Sequence, residues 1–66
     1  MNVLLNGKPA DLPEGLTVEG LVKQKGLNPD TIIVEHNLNL IKRECWAVTF
    51  LREGDKIEIL RFVGGG

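Results

Sequence analysis

The sequence has little of what metal centres and thiol chemistry require. Among its 66 residues are one cysteine, Cys45, and one histidine, His36, whereas a transition-metal site takes several such ligands at closing distances. A lone cysteine forms no internal disulfide, and a nucleophilic cysteine would need a base and an orienting group beside it. We predict no metal site, and we interpret Cys45 as a partly buried thiol and His36 as a residue at a strand end.

Neither one sign of charge nor a long apolar run dominates the chain. Eight Lys and Arg oppose nine Asp and Glu, for a formal charge of -1, while small nucleic-acid binders usually carry a basic excess on one face. No apolar run approaches the roughly 20 residues of a membrane-spanning helix, and the first residues do not resemble a signal peptide. We therefore expect a cytoplasmic protein with no nucleic-acid or membrane partner.

Nucleotide-binding motifs are also missing. The sequence contains neither GxGxxG nor GxxxxGK[ST], so we expect no nucleotide pocket in this chain. Trp46 is the single tryptophan, and with no tyrosine and two phenylalanines it is better interpreted as a packing residue than as a stacking platform for bases. A chain of this length forms one domain with a thin core, which leaves no room for a deep catalytic cleft.

The first half of the sequence predicts a hairpin followed by a short helix. Asn6-Gly7 favours a tight turn between a strand over residues 2–6 and a second strand around residues 9–12. Thr17 is a suitable N-cap, and Gly26 is a suitable residue to end a helix near Lys25. Gly20 inside this helix costs roughly 1 kcal/mol relative to alanine, so the helix should depend on packing.

Three further strands are predicted over residues 31–36, 40–42 and 56–63, the last after the reversal at Glu53-Gly54-Asp55. Residues 48–51 fit either a short extended piece or one helical turn. This order indicates an α+β fold in which a single main helix packs on one face of one mixed sheet. The first and last strands would most simply lie side by side and parallel, although the pattern also fits other small α+β folds.

The chain ends in Gly64, Gly65 and Gly66. Because glycine has no Cβ, such a tail can bend through positive φ and pass through a narrow slot. The carboxylate of Gly66 would then be free to meet a partner that activates it, for example as an acyl-adenylate. A frayed terminus fits the same residues. We predict a folded domain over residues 1–63 and a flexible tail over residues 64–66.

Alternation along the last predicted strand separates two faces. Ile57 and Ile59 should face the helix, whereas Leu60 and Phe62 share the opposite face with Leu4 of the first strand. An apolar cluster in water beside the tail is typical of a docking surface, although single exposed apolar residues are common. We predict that Leu4, Leu60 and Phe62 dock a partner.

Taken together, these features resemble the ThiS family, the sulfur carriers of thiamine thiazole synthesis. The resemblance covers essentially the whole chain and lies in Asn6-Gly7, Leu16-Thr17-Val18, Arg43-Glu44 with Trp46, and the run from Leu51 to Ile59 that leads to Val63 and the glycines. It implies a β-grasp (ubiquitin-like) fold. The sequence departs from the family at His36-Asn37-Leu38-Asn39, where an Asn-Gly turn is usual. Because Leu38 suits a positive φ poorly, we expect a longer turn there.

The resemblance also implies a chemical cycle at Gly66, with Gly65 as the other half of a diglycine. A ThiF-type enzyme would use ATP to adenylate the Gly66 carboxylate, and sulfur from a persulfide donor protein would replace AMP to leave a thiocarboxylate. A ThiG-like thiazole synthase would receive that sulfur. The chain itself would then be a carrier and not an enzyme, would bind no cofactor, and would make no use of Cys45.

Three other functions use the same fold. A MoaD-like carrier for molybdopterin would use the same tail with a different acceptor, although those chains tend to be longer. A ubiquitin-like modifier would have Gly66 joined to lysines of target proteins. A β-grasp binding module would have no use for its tail, so that removing the glycines would change nothing.

Overall fold

A computed structural model of the chain describes residues 1–62. The strands are β1 (Asn2–Leu5), β2 (Lys8–Asp11), β3 (Ile32–His36), β4 (Asn39–Ile41) and β5 (Lys56–Arg61), and the α-helix is α1 (Val18–Gln24). Two 3-10 segments lie at Pro29–Thr31 and Arg43–Val48. The order of strands and helix is the one predicted from the sequence. Val63, predicted as the end of the last strand, and the tail at 64–66 lie outside the described residues.

The five strands form one sheet in the order β2-β1-β5-β3-β4. β1 pairs with β5 in parallel, with Leu4 opposite Lys56 and Leu5 opposite Ile57. The remaining pairs are antiparallel. The last strand of the chain is therefore the central strand of the sheet, next to the first one. This confirms the predicted mixed sheet and its β-grasp arrangement.

Helix α1 begins and ends as its sequence predicts. The Thr17 hydroxyl accepts a hydrogen bond from the Gly20 N–H at 3.0 Å, and Gly26 follows the helix with a φ of 67°. Gly20 lies close to Leu16, since a Cβ at that position would be 2.7 Å from Cδ1 of Leu16. A side chain there would require the end of the Leu16 side chain, which packs against the core, to shift.

The core lies between α1 and one face of the sheet. Trp46 joins it from the second 3-10 segment and donates from Nε1 to the Ile41 carbonyl at 2.9 Å, which confirms it as a packing residue. Each fully buried side chain of leucine or valine size contributes about 1.5–3 kcal/mol through removal of apolar surface from water. The buried core residues are Val3, Leu12, Val18, Leu21, Val22, Ile32, Val34, Trp46, Leu51 and Ile57.

The turn between β3 and β4 is shorter than expected. It consists of Asn37 and Leu38, with φ of 51° and 72°, so the prediction of a longer turn is wrong. The reason lies in Asn37, whose side chain accepts from the Lys56 N–H at 2.8 Å and donates to Asp55 at 3.1 Å. These bonds to the start of β5 fix the turn, and Leu38 takes a left-handed conformation that costs about 1–2 kcal/mol.

The sequence of residues 48–51 fits either a short extended piece or one helical turn, and the structure contains both kinds of backbone. The 3-10 segment ends at Val48, and Phe50 then forms an isolated β-bridge with Thr17. This bridge lies directly before α1, so it ties the entry of the helix to the loop that precedes β5.

The strain at Leu38 predicts a stabilising substitution. Leu38 is 86% exposed, so Leu38→Gly loses little packing while it relieves the left-handed conformation, and we expect the free energy of unfolding to rise by about 0.5–1 kcal/mol. Leu38→Ala keeps a Cβ at the same φ and should give no such gain. Urea denaturation measures both variants, and equal stability of the two would contradict strain at this position.

Candidate functional site

The sheet holds the chain up to the start of the tail. The Phe62 N–H donates to the Thr31 carbonyl at 2.9 Å, which extends the pairing of β5 with β3 by one residue beyond Arg61. Residue 62 is thus fixed by a backbone hydrogen bond. Gly64, Gly65 and Gly66 lie outside the described residues, so the role predicted for them stays a prediction.

The three residues predicted to dock a partner lie on the sheet face opposite α1. Leu4, Leu60 and Phe62 are 37%, 45% and 52% exposed, whereas Ile57 on the helix side is fully buried and Ile59 packs against the core. The predicted faces are therefore confirmed. The three residues are not contiguous, because Leu4 is paired with Lys56, about 13 Å along β5 from Leu60.

Sequence reasoning missed two further apolar residues on this face. Ile33 lies directly opposite Leu60, and Leu40, 62% exposed, lies opposite Glu35 and so diagonally from Ile33. We call Ile33, Leu40, Leu60 and Phe62 the outer-face patch. Alternation along β3 already separates Ile33 from the core residues, but only the adjacency of β3 and β5 places it beside the root of the tail.

Two carboxylates border the outer-face patch. Glu35 and Glu58 are directly opposite each other on β3 and β5, and each is half-buried. Like charges directly opposite each other destabilise a sheet. A basic side chain of a partner laid against this face would relieve that repulsion, so the face combines an apolar contact with a contact for a cation.

His36 and Cys45, the two residues considered for nucleophilic chemistry, have separate surroundings. His36 lies at the end of β3 as predicted, and its Nε2 lies 2.6 Å from Oδ2 of Asp55. Cys45 is exposed, so the prediction of a partly buried thiol is wrong. The reason is the 3-10 segment Arg43–Val48, which turns Trp46 alone into the core.

Asp55 is the most heavily hydrogen-bonded carboxylate in the described chain. Burial tends to raise the pKa of this carboxyl, but hydrogen bonds from His36, Asn37 and the Arg52 N–H, with the charge on His36, outweigh it and lower the pKa below its ordinary value of 3.8. The Arg52 N–H bond is 2.8 Å long. The Asp55 carboxylate therefore links the β3–β4 turn to the loop that precedes β5.

Residues 1–62 contain no cluster of His, Cys, Asp and Glu that could hold a metal ion. Within the same residues, no helix has the length and hydropathy needed to cross a membrane.

Comparisons with known proteins agree with the fold and cover the tail. The model of the ThiS family matches residues 3–66. The sulfur carrier protein ThiS of Bacillus subtilis is 36% identical over 63 residues, which are 94% of this chain and 96% of that protein. A crystal structure of the thiamine biosynthesis protein ThiS from Geobacter metallireducens superposes with a TM-score of 0.88 at 35% identity, and the match covers 100% of both chains.

Longer proteins also match. A thiazole synthase of Magnetococcus marinus is 38% identical over all 66 residues of this chain. A second thiazole synthase, from Paramagnetospirillum magneticum, is 33% identical over the same length. The chain spans 20% of the length of each of these two relatives.

The lowered pKa of Asp55 predicts a loss of stability in acid. Because the folded state binds the proton on this carboxyl more weakly than the unfolded state does, the stabilisation is present above pH about 4 and is lost as the pH falls through the folded-state pKa. Asp55→Asn should lower stability at pH 7 and flatten the decline below pH about 4. Urea denaturation across this range measures both effects, and an unchanged acid slope in Asp55→Asn would contradict the assignment.

Proposed function

Because the chain belongs to the ThiS family, we propose that it is a sulfur carrier of thiamine biosynthesis whose working group is the carboxylate of Gly66. The observation that carries the proposal is the central position of β5, which leads through Phe62 to the three glycines. The family match extends to residue 66 and so includes them. A fixed root with a tail that lacks side chains suits delivery of a carboxylate into a narrow site.

The proposed cycle begins at a ThiF-type enzyme. One oxygen of the Gly66 carboxylate attacks the α-phosphate of ATP, pyrophosphate leaves, and an acyl-adenylate forms. A persulfide on a donor protein then attacks the carbonyl carbon and AMP leaves. A thiol reduces the resulting acyl disulfide, which releases the Gly66 thiocarboxylate. In this cycle the chain is a substrate of its partners and binds no cofactor of its own.

A thiazole synthase is the proposed acceptor of the sulfur. In two proteins named thiazole synthase, a stretch similar to this entire chain makes up 20% of the polypeptide. A carrier-like stretch within a thiazole synthase polypeptide supports a functional pairing of carrier and synthase. Joining two modules in one polypeptide raises the effective concentration of each for the other. We therefore propose a thiazole synthase as the partner that receives sulfur from this chain.

The outer-face patch is the proposed docking surface for the activating enzyme. Leu60 and Phe62 lie at the tail end of β5, so a partner that covers them holds the root of the tail beside its own nucleotide site. Ile33 and Leu40 enlarge the apolar contact. Glu35 and Glu58 would meet a cation of the partner, whose approach removes their mutual repulsion. Leu4, at the far end of the face, would lie at the rim of such an interface.

The central chemical prediction concerns one oxygen atom of the Gly66 carboxylate. Incubation of the chain with its activating enzyme, ATP and a persulfide donor should exchange one oxygen of Gly66 for sulfur, and intact-mass measurement detects the exchange. Deletion of Gly66, or addition of one residue after it, should abolish the exchange while the circular dichroism spectrum stays unchanged. Absence of any mass shift with a demonstrably active partner would refute the proposal.

Cys45→Ser is the matched control for thiol chemistry. The exposed Cys45 has no role in the cycle, so this variant should form thiocarboxylate at a nearly unchanged rate. Isopeptide-linked conjugates of the chain in cell extract, without free thiocarboxylate, would instead indicate a protein modifier.

Docking through the outer-face patch predicts selective loss of affinity. An anchor buried at the centre of an interface costs about 2 kcal/mol or more when truncated, so Phe62→Ala and Leu60→Ala should each weaken binding of the activating enzyme roughly thirtyfold. Thermal stability should change little, because both side chains are exposed in the free chain. Isothermal titration calorimetry measures the affinity.

Val48→Ala is the matched control for docking, since Val48 is 71% exposed and lies in a 3-10 segment outside the sheet. This variant should bind normally. Normal binding by both Phe62→Ala and Leu60→Ala would show that the patch is ordinary surface.

A further inference from the structure

A groove of about 430 Å³ opens on the helix side of the sheet, opposite to the outer-face patch. It lies between the β1–β2 hairpin, the end of α1 and the last part of β5. Its apolar lining comes from Leu5, Leu27 and Ile59. The groove reaches Arg61, one residue before Phe62, and so lies beside the root of the tail on the face that the docking surface does not use.

One wall of the groove is an open strand edge. The bond from the Phe62 N–H to Thr31 fixes which residues of β5 bond to β3, so Ile59 and Arg61 point their N–H and C=O groups the other way, toward β1. β1 ends at Leu5, and the Asn6 side chain caps only the Ile59 N–H, at 2.7 Å.

Beyond that cap, residues 1–62 supply no partner for the Ile59 carbonyl or for the Arg61 N–H and carbonyl. An unpaired strand edge of this kind is a template for one more strand.

The groove is also basic. Lys8, Lys25 and Arg61 line it, no aspartate or glutamate does, and none of the three forms an ion pair with another residue of the described chain. Three cations around an apolar floor attract a ligand that carries both carboxylates and an apolar side chain.

We propose that this groove receives a short extended segment of a partner protein whose groove-facing residues, every second one along the segment, include both acidic and apolar side chains. The segment pairs its backbone with Ile59 and Arg61 as an added strand. Its apolar side chains lie on Leu5, Leu27 and Ile59, and its carboxylates meet Lys8 and Lys25. Main-chain bonds supply affinity in this mode of recognition, and alternate side chains supply specificity. The proposal concerns binding alone and is independent of the sulfur chemistry at Gly66.

The test uses the full chain and a synthetic hexapeptide, blocked at both ends, with the sequence Glu-Ser-Val-Ser-Glu-Ser, in which the glutamates and the valine share one face of the extended peptide. Titration followed by amide NMR should show saturable binding up to about 1 mM peptide, the affinity range of a short linear segment. The largest shifts should fall on residues 59–61, and hydrogen exchange at the Arg61 N–H should slow. The same peptide with alternate backbone nitrogens methylated, or with lysine in place of glutamate, should bind at least tenfold more weakly.

Charge reversals provide the matched variants. Lys8→Glu and Lys25→Glu alter exposed side chains at the groove and should each weaken binding about tenfold. Lys56→Glu makes the same charge change on the opposite face and should leave affinity unchanged. Equal weakening by all three would overturn the groove as the site, because net charge alone would then explain binding.

Other results would also overturn the proposal. These are the absence of saturable binding, shifts centred on the outer-face patch, or equal binding of the methylated peptide. An Arg61 amide shift that grows with protein concentration alone would assign the edge to a second copy of the chain. Tighter peptide binding after deletion of residues 64–66 would assign the groove to the tail of the chain itself.

Discussion

The pairing of β5 on both sides is the constraint on which the other features depend. Ile57 in this strand is completely buried, and β5 joins β1 in parallel and β3 in antiparallel pairing. Because β5 comes last in the sequence and lies in the middle of the sheet, β1 and β3 are joined only when the C-terminal part of the chain is in place. Such non-local pairing makes folding slower than in a helical protein of similar size. It also fixes the root of the tail to a strand that has a neighbour on each side.

The local elements follow from short stretches of sequence, and the sequence predicts them well. Asn6-Gly7, the Thr17 cap and Gly26 each act within a few residues, and alternation in β5 separates Ile57 from Leu60 without knowledge of any neighbour. What the sequence could not supply depends on contacts between distant segments.

The Asn37-Leu38 turn shows this limit. It stays at two residues because Asn37 bonds to Asp55 and Lys56, which are far away in sequence, and those bonds outweigh the poor conformation of Leu38. Cys45 is exposed because the 3-10 segment places Trp46, and not Cys45, in the core. Ile33 belongs to the outer-face patch because β3 is the neighbour of β5, a fact of strand order that alternation alone does not encode.

The two faces beside the root of the tail differ in charge. The outer-face patch is bordered by Glu35 and Glu58, whereas the groove on the helix side carries Lys8, Lys25 and Arg61. We propose that partners bind both surfaces, and their opposite charge would let those partners distinguish the two sides of one strand.

The proposed role of Gly66 is to carry sulfur to the thiazole of thiamine. The most direct test loads the Gly66 thiocarboxylate with heavy-isotope sulfur, adds a thiazole synthase with its small-molecule substrates, and measures the mass of the thiazole product. We expect the label to appear in the thiazole and Gly66 to return to an ordinary carboxylate. Label that stays on the chain, with a synthase shown to be active, would contradict this role for Gly66.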